Sequence, residues 1–298
     1  MTVCPSVKAS RLLPHLTQAS APLTREVTVV NESGAAELVS IPAERPLTIY
    51  VDRREIVTLM TLGAMPELLV LGYLRNQRLI RDASDVLSIM VDWEVNAAAV
   101  ETRDGIADID ARTAQRVVTT GCGQGSVFGG LMQELDQLQL SASASVTQAE
   151  LYGLLNAIRL QETTYKSAGS VHGCALFRGE QMLMFVEDVG RHNAIDTLAG
   201  WMWMQPEAEQ RGDDKIFYTT GRLTSEMIMK SAQMGVPVVV SRSGMTQMGY
   251  EIARDLGLCA IGRAVNRRFV CYTAPERLVL QPELAASRVD GVRVSKGA

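Results

Sequence analysis

The sequence predicts an α/β protein with a smaller β-rich domain at its amino end. From about residue 112 the chain repeats a β-branched run, a glycine-containing loop and an amphipathic helix, the pattern of parallel β-α-β units. Before that point, residues 24–110 alternate in short strand-like runs around one helix. The run at 236–240 is apolar throughout, as in a buried strand. Four segments are expected: a flexible lead-in over 1–23, the β-rich domain over 24–110, the α/β domain over 111–275 and an irregular tail over 276–298.

In the first domain, strands are expected at 27–30, 38–41, 47–51 and 56–62. A helix follows over 66–75, with Pro66 in its first turn where a fixed φ suits it. Residues 86–103 alternate again and read as a hairpin pair. In the second domain, a strand at 115–119 leads through the loop 120–126 into a helix over roughly 128–139. A Ser/Ala link at 141–145 precedes a helix to about 162, started by the capping box of Thr147 and Glu150. Strands at 171–177 and 182–186 flank a hairpin turn at Arg178, Gly179, Glu180 and Gln181. The loop 187–192 then leads into a helix that Asn193 could cap.

The remainder is more regular. A strand at 216–218, a loop at 219–222 and a helix at 224–234 come first, with Glu226 in the helix's first turn, where the dipole favours it. Gly235 ends that helix. A strand at 236–240, a loop at 241–245, a helix at 246–256 and a strand at 258–262 follow. A basic loop at 263–268 and a strand at 269–272 complete the domain.

Composition narrows the function classes. The chain has 298 residues, 47% of them hydrophobic and 21% charged, so intrinsic disorder is excluded as the main state. Its longest apolar runs are too short to span a bilayer, and the first thirty residues hold no apolar core of a signal peptide, so a cytoplasmic protein is expected. A net charge of −4 argues against a nucleic-acid binder. Five cysteines without paired spacing and no Cys-x-x-Cys fit neither a disulfide scaffold nor a thiolate zinc site. The phosphate-loop, dinucleotide-fingerprint and nucleophile-elbow motifs are absent.

In parallel sheets, ligands bind at the carboxyl ends of the strands. Arg191, Arg222, Arg242 and Arg263 each follow an expected strand closely, and Arg267 and Arg268 add charge to the last loop. Three of these loops open onto helix N-termini, so the edge reads as a site for phosphate or pyrophosphate, against the bland reading of solvated surface arginines. Cys122 stands among Gly121, Gly123 and Gly125 with a helix following. Such a setting uncovers a thiol and favours its thiolate, although a small cysteine in a tight turn would look the same. Thr219, Thr220, Gly221 and Arg222 echo Thr119, Thr120, Gly121 and Cys122. Cys174, Cys259 and Cys271 lie in apolar strands and read as core. His192 sits in a dense polar loop, either lining the pocket or holding the loop, and His172 opens a strand as pocket or core.

The blocks at 119–126, 167–176, 187–196, 220–230, 236–246 and 262–273 resemble the FdhD family of formate dehydrogenase accessory sulfurtransferases. Glu-Asp-Val-Gly-Arg-His-Asn at 187–193 and Gly-Arg-Leu-Thr-Ser-Glu-Met at 221–227 carry most of the likeness, which spans roughly residues 46–277. The resemblance implies a cytidine deaminase-like three-layer α/β sandwich and a homodimer. It also implies transfer of persulfide sulfur from a cysteine desulfurase to the molybdenum (or tungsten) bis-pterin guanine dinucleotide cofactor of the formate dehydrogenase catalytic subunit. By the same resemblance Cys122 falls at the persulfide cysteine. Arg263, Ala264, Val265, Asn266, Arg267 and Arg268 fall on the cofactor segment, with Arg191, His192, Arg222 and Arg242 expected beside it. Gly125 stands where many members have a second cysteine. The deaminase zinc signature is missing, since His172 precedes Gly173 and Cys174, so no zinc is implied. Two other readings remain: a non-catalytic chaperone that delivers the cofactor, and a Cys-His hydrolase using Cys122 with His172 or His192.

Overall fold

The computed structural model describes residues 13–107, 109, 138–161 and 163–286. The expected strand at 115–119, the Cys122 loop and most of the helix at 128–139 lie outside the described residues.

The amino-terminal layer is built from β1 (His15–Leu16), β4 (Arg45–Val51), β5 (Arg54–Thr61), β6 (Val86–Asp92) and β7 (Ala97–Thr102). They form one sheet in the order β1-β6-β7-β4-β5. β2 (Thr24–Val30) and β3 (Ala36–Pro42) pair with each other in a separate ribbon. Alternation drives the pattern: Leu47, Ile49 and Val51 turn inward along β4, while Ile89 and Val100 do so from β6 and β7. β1 corrects the expectation of a flexible lead-in over its last residues. There Thr17 Oγ1 and Ala19 N donate to Glu67 Oε1 at 2.7 and 2.6 Å, fastening the segment to the first turn of α1 (Pro66–Asn76).

The second layer centres on a sheet ordered β10-β9-β11-β12-β13-β14. Its strands are β9 (His172–Arg178), β10 (Gln181–Asp188), β11 (Ile216–Thr219), β12 (Val238–Ser241), β13 (Cys259–Val265) and β14 (Arg268–Thr273). β11, β12 and β13 are parallel, as expected. β9 is antiparallel to both β10 and β11, so β10 points the same way as the parallel set. Helices α4 (Arg191–Trp203), α5 (Ser225–Gln233) and α6 (Gln247–Asp255) share one core with one face of the sheet. The other face packs on α2 (Gln148–Leu160) and on the short pair β8 (Val146–Thr147) and β15 (Leu278–Val279). α3 (Thr164–Ala168) and α7 (Glu283–Ala286) are short additions. The tail expected to be irregular therefore contributes β15 and α7.

Two local expectations change. Thr147 and Glu150 do form the capping box of α2. The N-cap of α4, however, is Gly190 and not Asn193, because the Asp188 carboxylate already accepts from Gly190 N at 3.0 Å. The segment 263–268 is no loop: β13 runs on to Val265 and pairs with Arg268 around a tight turn, with Arg263 and Asn266 at φ 52° and 56°.

The layers join through α1 and α4, which cross at Gly72 and Gly200. A Cβ on Gly72 would lie 1.7 Å from Asp196 O, and one on Gly200 would lie 2.0 Å from Leu68 O. Only glycine permits this approach of two helix backbones. α4 is apolar or buried almost all round, as a helix with sheet on one side and helix on the other must be.

Candidate functional site

The carboxyl ends of β10, β11, β12 and β13 share one edge with the start of β9. A cavity of about 610 Å³ opens there on the α2 side of the sheet, within the size range of small-molecule sites. Leu155, Ile158, Val171 and Phe185 form apolar wall, and Tyr165 and Tyr218 add aromatic surface. Arg159, Lys166 and Arg242 supply cationic groups, while His172, Glu187, Thr220, Ser243 and Asn266 supply polar ones.

The loops that place Arg242 are stitched together. Arg242 N donates to Thr219 O at 3.0 Å, Ser241 Oγ to Gly221 O at 2.6 Å, and Ser243 Oγ to Thr220 O at 2.9 Å. Thr220 in turn exchanges bonds with Gly173, through Thr220 N to Gly173 O at 2.9 Å and Gly173 N to Thr220 Oγ1 at 3.0 Å. Three strand ends are thereby locked in register around the cavity mouth.

Of the residues singled out from sequence, His172, Arg242, Ala264, Val265 and Asn266 line this cavity. The others stand elsewhere along the edge. Arg263 is exposed and uses its backbone N to bond Ser243 O at 2.7 Å. Arg267 turns away, its guanidinium 5.8 Å from the Tyr152 ring centre and donating to Leu284 O at 3.2 Å. Arg268 is exposed at the start of β14, and Arg222 is exposed after β11. Arg191 and His192 are buried in the first turn of α4, on the opposite face from the cavity, with Arg191 packed against Gly221. Cys122 lies outside the described residues.

Strand alternation divides two neighbouring acids between the two faces. Glu187 faces the cavity and accepts from Thr164 N at 2.5 Å and Tyr165 N at 3.2 Å, fixing the start of α3. Asp188 faces the other way and accepts from Thr61 Oγ1, Leu62 N and Asn193 Nδ2 as well as Gly190 N. It joins the two layers, and burial pushes its carboxyl above the usual carboxylate range. His172 is held below the ordinary imidazole value by burial, then by the charges of Arg191 and Arg222. It is therefore neutral at neutral pH. Burial raises the Tyr218 phenol to about 12, which keeps it a hydrogen-bond donor.

Behind the edge lies a buried polar cluster that the sequence reading missed. His192 Nε2 is 3.1 Å from Glu226 Oε2, and Lys230 Nζ is 2.9 Å from Asp196 and 3.9 Å from Glu226. Asn76 Nδ2 from the first layer donates to Asp196 Oδ1 at 2.6 Å. The signal was present: Glu226 and Lys230 are an i,i+4 pair on one face of α5 with Gln233, but such a polar stripe reads as a solvated face, whereas Glu226 and Lys230 are buried. Tyr165, Lys166, Phe185 and Tyr218 were also missed as cavity residues, since strand–helix spacing does not report which face of a sheet is open.

Among the described residues, no helix is long and apolar enough to cross a membrane. The sequence pattern of the FdhD/NarQ family matches residues 42–279. The chain is 30% identical over 240 residues to the sulfur carrier protein FdhD of Geobacillus kaustophilus, covering 80% of this chain and 90% of that one. It is 31% identical over 241 residues to the sulfur carrier protein FdhD of Halalkalibacterium halodurans, covering 80% and 88%. Its fold is similar to the crystal structure of a formate dehydrogenase accessory protein from Desulfotalea psychrophila, with a TM-score of 0.69 at 24% identity over 87% of this chain and 100% of that one. A match of this extent, spanning both layers and every strand end of the cavity edge, places the chain in the FdhD/NarQ family.

Proposed function

We propose that this protein is a sulfur carrier for formate dehydrogenase maturation, in which Cys122 bears the sulfur as a persulfide and the strand-end cavity receives the guanine nucleotide end of the client cofactor. The observation that carries the reading is the cavity itself, cationic and aromatic, at the strand ends of a chain whose relatives are named sulfur carrier proteins. Arg242, Lys166 and Arg159 offset the charge of a pyrophosphate. Phe185, Tyr165 and Tyr218 supply apolar and ring surface for a planar base, and the protonated Tyr218 phenol and neutral His172 supply uncharged polar contacts. The cargo is a molybdenum or tungsten bis-pterin guanine dinucleotide cofactor, the substrate of the transfer.

The sulfur comes from a cysteine desulfurase. The Cys122 thiolate attacks the terminal sulfur of the desulfurase persulfide, the donor S–S bond breaks, and the donor leaves as a thiolate. One thiol suffices for this carrying step, so Gly125 in place of a second cysteine does not prevent it. The covered sheet, with α4, α5 and α6 on one face and α2 on the other, suits a cytidine deaminase-like sandwich, and the protein works as a homodimer in the cytoplasm. Intact-protein mass spectrometry after incubation with cysteine and an active desulfurase tests the role. A gain of one thiol-reducible sulfur, absent from Cys122→Ala, is expected. No gain on the wild type would favour a non-catalytic carrier of the cofactor.

A further inference from the structure

Two thiols away from the cavity stand side by side. Cys259 opens β13, Cys271 lies on β14, and their Sγ atoms are 4.0 Å apart. The ladder shifts register between Ala260 and Ile261, which skews Cys271 toward Cys259 across the pair. Cys259 is wholly buried, whereas Cys271 is half-buried on the strand that ends the sheet. Either thiol can donate to the other, Cys271 Sγ also donates to Thr273 O at 3.4 Å, and the contact between the two sulfurs lowers the Cys271 thiol and raises that of Cys259. One sulfur is thus the reachable nucleophile, and the other stands directly behind it.

We propose that Cys259 and Cys271 form a reversible dithiol–disulfide site that exchanges with low-molecular-weight disulfides. The Cys271 thiolate attacks one sulfur of the small disulfide, whose S–S bond breaks and releases one thiolate. Cys259 then gives up its proton and attacks the Cys271 sulfur of the mixed disulfide, releasing the second small thiol. Two protein thiols are oxidised by two electrons, and the small disulfide is reduced to two thiols. Bond formation needs an approach of about 2 Å from the present contact, toward the ~2.05 Å of an S–S bond. The product ties β13 to β14 beneath the turn that brings Ala264, Val265 and Asn266 to the cavity. This site is independent of the role of Cys122.

The test uses the full-length protein, reduced and then equilibrated with glutathione disulfide and glutathione at graded ratios, alkylated and digested with trypsin without reduction. Cleavage places Cys259 and Cys271 on separate peptides, 255–263 and 269–277. The expected product is one cross-linked species two hydrogens lighter than its parts, reverting with dithiothreitol. In Cys259→Ala, the peptide 269–277 should instead retain glutathione. Recovery of both peptides unlinked even in glutathione disulfide alone overturns the proposal, and so does glutathione retained on 269–277 of the wild type. The wild-type peptide map decides the matter by itself if Cys259→Ala does not fold.

Discussion

His192 Nε2 lies 3.1 Å from Glu226 Oε2 with both side chains almost removed from solvent. Burial, then the charges of Lys230, Arg191 and His172, hold the imidazole down to about 2. Burial also lifts the Glu226 carboxyl above its usual range. The contact is between groups that both resist ionisation, so it is a packing and polarity match at the base of α4, unlike a surface ion pair.

A pH dependence follows from His192. Its folded value is depressed, so the unfolded chain binds a proton below about 6.5 that the folded chain refuses. The stability it contributes is complete above 6.5 and is lost as pH falls toward the folded value. Relative to His192→Gln, the wild type should lose about 1.4 kcal/mol per pH unit between pH 6 and pH 5 in urea unfolding. Asp188 and Asp196, raised by burial, act with the opposite sign in both proteins and drop out of the difference. Parallel curves for the two proteins would show that His192 titrates freely when folded.

Lys230→Met should be strongly destabilising. It leaves the carboxylate of wholly buried Asp196 with Asn76 Nδ2 as its polar support from the first layer. Breaking a buried pair from one side costs about 3–5 kcal/mol. Adding Asp196→Asn to Lys230→Met should recover part of that loss, which a double-mutant cycle by denaturant titration measures.

Gly72→Ala should cost about 3 kcal/mol, because the new methyl would meet the Asp196 carbonyl at 1.7 Å and neither helix backbone can yield cheaply. Gly244→Ala is the contrasting case, since its nearest neighbour would be Tyr272 Oη at 4.0 Å. Its cost should stay within about 0.5 kcal/mol. Equal midpoints for the two variants would contradict the close crossing.

Arg242→Ala should weaken binding of guanosine diphosphate about tenfold or more in calorimetric titration, the scale of losing one charged hydrogen-bonding partner. Arg268→Ala should change it less than about twofold, because Arg268 is exposed at the start of β14 and does not line the cavity. The reverse order of effects would move the nucleotide site from the cavity to the hairpin.

Much of this architecture was legible from local chemistry. Pro66, the Thr147–Glu150 capping box and the apolar run at 236–240 each identify an element that the structure contains. The basic segment 263–268 misled because charge suggested a solvated loop. The burial there alternates, with Ala264 inward and Arg263 and Val265 outward, but Ala264 and Val265 are both apolar, so the alternation leaves no polar/apolar period in the sequence. Asn193 looked like a cap, but a cap accepts from helix N–H groups, whereas its amide donates to Asp188 Oδ1 and to Met60 O. The cavity wall from α2 and α3, and the hydrogen bonds from Thr61 and Asn76 into the second layer, join residues far apart in the chain and leave no mark in local spacing.

The crossing of α1 and α4 also sets an order of events at synthesis. Arg75 Nη1 finds Ala199 O at 2.9 Å across 124 residues of chain, and α1 packs its backbone against α4 at Gly72 and Gly200. A ribosome adding ~5–20 residues per second needs on the order of ten seconds to deliver α4 after α1 has emerged. During that interval the first layer carries an open apolar flank. The nascent chain is therefore a natural client for general chaperones, and slower translation across residues 76–190 should lower the soluble yield.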